Sequence, residues 1–108
     1  MTPKDYVQQV DEKFRGCKKQ KLSRFSSEWD QFSRNINTEM RGILFSLDDK
    51  SQEAETWKFC LAYWQVRSIM LQRYFEGKAL NMVRMPKLKR ECAHIKELIF
   101  NPGKRMAG

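Results

Sequence analysis

Residues 52–76 read QEAETWKFCLAYWQVRSIMLQRYFE, and the architecture that we predict for the chain follows from this segment. Apolar side chains lie on nearly every side of a helix drawn through it. The narrow polar strip that is left over consists of Lys58, Gln65, Gln72 and Arg73. The chain has 108 residues and room for one modest core, so a helix this apolar must lie at its centre or pack against a second chain. We expect both, and the side chains predicted for the core or the homodimer seam are Trp57, Trp64 and Leu71.

The segment before this stretch has the clearest helical periodicity in the chain. Apolar residues recur at steps of three or four from Leu22 to Leu47, which predicts one continuous stripe along a second long helix. Ser51, followed by Glu53 and Glu55, predicts the N-terminal cap of the third helix, because a hydroxyl accepts from free backbone N–H groups and carboxylates favour that end of the dipole.

Two short helices are expected to flank this pair. Thr2 and the proline that follows it predict a first helix over about 3–15, with Gly16 as its end. Gly77 predicts the end of the third helix, with Lys78 complementing its dipole, and Pro86 predicts the start of a last helix over about 87–100.

Residues 101–108 read as a frayed tail, and no segment alternates as a strand would. The sequence therefore predicts a single all-α domain over residues 1–108. Its expected architecture is an antiparallel helical hairpin with short flanking helices, which pairs into a four-helix-bundle type of homodimer.

The charge balance indicates a polyanionic partner. The formal net charge is +8 and the isoelectric point about 9.6, which favours nucleic acid first and an anionic membrane second. A basic protein whose charge serves only solubility is the plain alternative. The three cysteines are Cys17, Cys60 and Cys92, and their wide spacing predicts reduced intracellular thiols and neither disulfides nor zinc. No apolar run suits a signal peptide or membrane span, so we expect a cytoplasmic location, in the host cell if the protein is viral.

Catalytic residues are not indicated. The single histidine, His94, lies in a lysine-rich amphipathic segment without a partner at catalytic spacing. Glu76-Gly77-Lys78 has one glycine after a helix, whereas nucleotide-binding phosphate loops have several glycines between a strand and a helix. We therefore expect no enzyme activity, no metal, no cofactor and no small-molecule substrate.

The polar face of the second helix carries the strongest functional signal. At 100° per residue, one line of positions lies opposite the apolar stripe, and we call it the arginine line. Its members are Arg24, Ser27, Gln31, Arg34, Thr38 and Arg41. It contains no carboxylate. Guanidinium groups bind phosphate oxygens, and hydroxyl and amide groups suit the 2′-hydroxyls in the shallow groove of duplex RNA. The line predicts RNA binding by shape and charge, and a solvated face without a partner is the alternative.

Two stretches resemble a known family. YFEGKA (residues 74–79) and PKLKRECAHIKEL (residues 86–98), together with the opening MTPKDYVQQV, are similar to the small double-stranded-RNA-binding silencing suppressors of insect nodaviruses. The resemblance implies an all-helical chain that pairs into an antiparallel four-helix dimer along an RNA duplex. It also implies that Lys58 and Arg67 of the third segment contact RNA.

The predicted function is therefore double-stranded RNA binding without sequence specificity. On this hypothesis, a homodimer shields duplex RNA from Dicer and from loading into the silencing complex. The predicted RNA contacts are Arg24, Gln31, Arg34, Thr38, Arg41, Lys58 and Arg67. The alternative is a helical adaptor that docks its apolar third helix on another protein, and a domain that binds anionic membranes is less favoured because it lacks a lipid signal.

Overall fold

The computed structural model describes residues 1–22, 26–75 and 78–101, and of these the side chains of residues 78–83 are not described. The described residues form four α-helices and no strand, which confirms the predicted all-α class. The helices are α1 (Pro3–Lys19), α2 (Ser27–Phe45), α3 (Gln52–Tyr74) and α4 (Lys78–Phe100).

α1 begins where the sequence predicts and ends four residues later than predicted. The Thr2 hydroxyl accepts from the Asp5 backbone N–H, and the Asp5 carboxylate accepts from the Thr2 N–H, so a complete capping box starts the helix. Gly16 does not end it, because a glycine inside a helix costs only about 1 kcal/mol and the next turn buries Cys17. The helix ends at Lys19. Lys21 follows it with a left-handed φ of 60°, and the Leu22 N–H donates to the Cys17 carbonyl at 2.7 Å.

α2 and α3 are both long helices, as the sequence predicts, and α2 is shorter than its predicted bounds. The apolar stripe predicts a helix from Leu22, but α2 begins at Ser27, after a Ser26 cap whose hydroxyl accepts from the Trp29 N–H at 3.2 Å. The predicted Ser51 cap of α3 is present and accepts from the Ala54 N–H at 3.1 Å. Helix ends are therefore placed by capping hydroxyls more closely than by the apolar stripe.

The predicted start of the last helix at Pro86 is wrong. α4 begins at Lys78, nine residues before the expected 87, and runs through Pro86 as an interior residue. Proline inside a helix costs about 3 kcal/mol through a lost hydrogen bond and a ring clash. α4 accommodates it because apolar side chains on both sides of the proline are buried against the core, namely Met85, Cys92, Ile95 and Ile99. Gly77, the predicted end of α3, lies outside the described residues, and Lys78 belongs to the first turn of α4.

α3 occupies the centre of the molecule, as the sequence predicts. It packs against α1, α2 and α4, and Trp57 and Leu71 are buried whereas Trp64 is half-buried. The Tyr6 and Trp57 rings meet edge to face with centroids 6.1 Å apart. The buried side chains of α3 are thus covered by other helices of the same chain.

The predicted flanking helices are not short, because α1 has 17 residues and α4 has 23.

The contacts give the helix directions. Tyr6 lies against Trp57 and Phe14 against Arg67, so α1 and α3 run in the same direction. α2 opposes α1, since Tyr6 bonds to Asn37 and Lys13 to Glu28. α2 and α4 each contact both α1 and α3 but barely contact each other, so they lie on opposite sides of the α1–α3 pair.

The remaining sequence expectations fall on surface or tail positions. Within the polar strip of α3, Lys58 and Gln65 are exposed, whereas Gln72 and Arg73 are half-buried. His94 is exposed, as predicted for a surface histidine. Of the predicted tail, Asn101 follows α4 directly, and residues 102–108 lie outside the described residues.

Candidate nucleic-acid interface

From Ser27 onward, the arginine line lies on the solvent side of α2. The described members, Ser27, Gln31, Arg34, Thr38 and Arg41, are all exposed. The side of α2 that faces the core buries a different set, Trp29, Ser33, Ile36, Asn37 and Met40. α2 therefore has the amphipathic orientation that its sequence predicts, and its polar face is open. Arg24, the first predicted contact, lies outside the described residues.

Three members of the line surround a shallow hollow between α2 and α3. The hollow has a volume of about 300 Å³ and is lined by Ser33, Arg34, Asn37, Thr38, Arg41 and Trp64. No carboxylate lines it in the described part of the chain. Arg34 and Arg41 are seven residues, or about 10.5 Å, apart along the helix. The hollow can accept an anion that spans two turns of α2.

Two hydrogen bonds, one part-buried and one buried, hold α2 in place beneath the hollow. The Trp64 indole N–H donates to the Ser33 hydroxyl at 2.9 Å, and the Tyr6 hydroxyl donates to the Asn37 amide oxygen at 2.7 Å. Burial raises the pKa of Tyr6 far above its usual value of 10.0, so this hydroxyl stays protonated and remains a donor in alkaline solution as well as at neutral pH. These bonds fix α2 against the central helices and present Arg34, Thr38 and Arg41 on a rigid element.

The charge on α2 is separated between its flanks and its exposed line. Glu28 forms an ion pair with Lys13 of α1, with nitrogen and oxygen 2.7 Å apart. Neither Arg34 nor Arg41 forms an ion pair with a carboxylate among residues 1–22, 26–75 and 78–101. An incoming phosphate therefore meets two guanidinium groups without first displacing an internal partner, which favours binding.

The two contacts transferred from the family resemblance lie in different surroundings. The Lys58 ammonium is 2.8 Å from the Asp49 carboxylate, and both side chains are largely exposed. The hydrogen bond from Lys58 lowers the pKa of Asp49 below its usual 3.8. An exposed pair of this kind contributes little to stability, so Lys58 can exchange Asp49 for another anion.

Arg67 is part of the internal structure. Its Nε donates to the Asp11 carboxylate at 3.1 Å, its Nη2 donates to the Tyr63 hydroxyl at 3.2 Å, and its guanidinium lies 4.7 Å from the centre of the Phe14 ring. The side chain is 20% exposed. Arg67 ties α1 to α3, so we do not include it in the proposed interface.

The carboxylate of Asp11 is the centre of a network that sequence analysis missed. It also accepts from the Tyr63 hydroxyl at 2.6 Å and from Lys96 at 3.1 Å, so one buried side chain connects α1, α3 and α4. We call these four residues, Asp11, Tyr63, Arg67 and Lys96, the Asp11 network. A signal was present in the sequence, because Asp11 falls among Val7, Val10 and Phe14 on the apolar side of α1, where a carboxylate needs partners.

The comparisons with known proteins add no relative. No protein-family model, no curated protein and no solved structure matches the chain. Among the described helices, none combines the length and apolar character needed to cross a membrane. In the same part of the chain, no three His, Cys, Asp or Glu side chains group as metal ligands would.

Proposed function

We propose that this protein binds double-stranded RNA through the arginine line, without sequence specificity. The observation that carries the proposal is the hollow in which Arg34, Thr38 and Arg41 surround Trp64, open to solvent and lined by no carboxylate among the described residues. Arginine forks suit phosphate oxygens, and the Thr38 hydroxyl suits a ribose 2′-hydroxyl. The net charge of +8 favours the same partner.

The biological role that we propose is suppression of RNA silencing. A protein that covers duplex RNA regardless of sequence would shield it from Dicer and from the silencing complex, which act in the cytoplasm. The support for this step is the resemblance of residues 74–79 and 86–98 to the nodaviral suppressors. The same resemblance supports a homodimer, in which two arginine lines would contact one duplex.

The adaptor alternative has less support. It requires an apolar third helix that waits for a foreign partner, but Trp57 and Leu71 are already buried by helices of the same chain.

A gel-shift titration at several salt concentrations tests the RNA site. The variant Arg34→Gln with Arg41→Gln removes two phosphate contacts per chain, so the slope of log K against log salt should fall by about two for each bound chain, or about four for a dimer, equally for unrelated duplex sequences. The control, Arg84→Gln with Arg90→Gln, removes the same charge from exposed positions of α4 and should change the slope much less.

The ligand and the oligomeric state need their own measurements. Single-stranded RNA and duplex DNA serve as competitors for the bound duplex RNA. If neither displaces it, the result supports recognition of the A-form groove. An unchanged salt slope in the α2 variant would show that the arginine line is not the site. Light scattering after size exclusion, with and without duplex, should give the mass of a dimer, and a monomer in both samples contradicts the pairing.

A further inference from the structure

A second basic surface lies on the side of the molecule away from α2. One hollow lies between α1 and α4 and a second lies between α3 and α4, so we describe α1 and α4 as the walls of one cleft and α3 as its floor. Two adjoining hollows of about 340 and 360 Å³ make up the cleft and share Lys96. We call it the α1–α4 cleft, and its charged lining residues are Lys4, Asp11, Arg15, Arg67, Lys89 and Lys96.

The charge of the cleft is strongly unbalanced. Five cations line it against one carboxylate, a net charge of +4. The carboxylate is Asp11, which already accepts from Arg67 and Lys96, each at 3.1 Å. Lys4 and Arg15 are exposed and form no ion pair within the described ranges. The excess positive charge is therefore available to an anion from solution.

The cations are arranged along a track. The ammonium groups of Lys4 and Lys96 lie 5.7 and 5.9 Å from the centre of the Phe100 ring, so both contact the same ring. Arg15 lies three turns further along α1, about 16.5 Å from Lys4. A single phosphate cannot contact both ends of such a track, whereas a run of backbone phosphates can.

We propose that the α1–α4 cleft is a second surface for RNA phosphates, so that one protein molecule holds two RNA segments. The cleft and the arginine line are on opposite sides of the α1–α3 pair, because α4 packs on one side of this pair and α2 on the other. A straight duplex cannot contact both surfaces at once, because the α1–α3 pair lies between them. The choice of RNA as the ligand rests on the proposed function.

A bridging assay tests this inference. Biotinylated duplex RNA is fixed on beads, protein is bound and washed, and a second, fluorescent duplex is added and measured on the beads. The cleft variant is Lys4→Gln with Arg15→Gln, which spares the Asp11 network. The line variant is Arg34→Gln with Arg41→Gln, the control is Arg84→Gln with Arg90→Gln, and circular dichroism verifies that each variant is folded.

Wild-type protein and the control should capture the fluorescent duplex. The cleft variant should lose this capture to the level of beads without protein, yet still shift a single duplex in a gel through its intact arginine line. Capture by the cleft variant at the wild-type level would overturn the inference. That result is also expected if the two arginine lines of a dimer, and not the cleft, bridge the two duplexes.

The two proposals fail in different ways. If the line variant loses gel-shift affinity while the cleft variant captures normally, the cleft is not an RNA site and the proposed function stands. If the cleft variant loses all gel-shift affinity and the line variant binds normally, the arginine line is not the site and the bridge through one molecule is refuted.

Discussion

Replacing Asp11 by asparagine should destabilise the fold severely, because it removes the one negative charge of the Asp11 network. Asp11 is 7% exposed and accepts from Tyr63, Arg67 and Lys96 at 2.6–3.1 Å. Removing one partner of a buried ion pair costs about 3–5 kcal/mol. Lys96 is 41% exposed and can turn to water, whereas Arg67 is 20% exposed and cannot do so freely. We therefore expect Asp11→Asn to lower the free energy of unfolding by about 3 kcal/mol, the lower end of that range.

Thermal unfolding followed by circular dichroism measures this cost. For a chain of this size, 3 kcal/mol corresponds to a fall in Tm of about 12 °C. Asp49→Asn is the matched control, because Asp49 also pairs with a lysine, at 2.8 Å, but its side chain is 87% exposed. That control should leave Tm nearly unchanged, because an exposed ion pair contributes little to stability. Equal Tm values for the two variants would refute the idea that the Asp11 network holds α1, α3 and α4 together.

Three further changes test other features of the fold. Gly16→Ala should raise the free energy of unfolding by about 0.5–1 kcal/mol, because a methyl group there meets no atom within 4 Å and the helix is continuous; a lower Tm contradicts this packing. Lys21→Gly should add about 1 kcal/mol by relieving the left-handed φ of 60°, and no gain in urea unfolding would argue against that conformation. Wild-type stability should fall as pH rises above about 9, because burial raises the pKa of Cys92 to about 11 and that of Tyr6 further, so only the unfolded chain releases these protons. In Tyr6→Phe the loss of stability above pH 10 should be shallower by about 1.4 kcal/mol per pH unit, and an unchanged Tm-against-pH slope would show that Tyr6 does not contribute.

The helices could be predicted from the sequence because local signals determine them. The Thr2 and Ser51 caps act within one turn of the chain, and the stripe of α2 is a periodic pattern that needs no tertiary contact. Gly16 and Pro86 misled the prediction for the same reason. Their intrinsic cost inside a helix is real, but the burial of Cys17, Met85 and Cys92 offsets it, and burial depends on distant residues.

The same difference between local and distant signals explains which parts of the candidate site could be predicted. α2 is amphipathic, so its apolar stripe determines which side is buried and leaves the described members of the arginine line exposed, as predicted. α3 is apolar nearly all round, so its sequence carries no information about the direction of Arg67. That direction is set by Asp11, 56 positions earlier, and the network closes through Lys96, 85 positions from Asp11. No local pattern connects residues so far apart.

This difference separates the cations that support the fold from those that can bind a ligand. A guanidinium that is mostly buried must be neutralised inside the protein, and Arg67 is neutralised by Asp11. An exposed cation needs no internal partner, and Arg34, Arg41, Lys4 and Arg15 have no carboxylate partner among the described residues. Asp11 is the one carboxylate of the α1–α4 cleft among the described residues, and it is already bound to Arg67 and Lys96. The positive charges of Lys4 and Arg15 on the wall of the cleft are therefore not compensated. In the Asp11→Asn protein, RNA affinity per folded molecule should therefore be kept or increased even though the fold is weakened. Reduced affinity in the fully folded fraction would show that the Asp11 network positions the binding surface as well as supporting the fold.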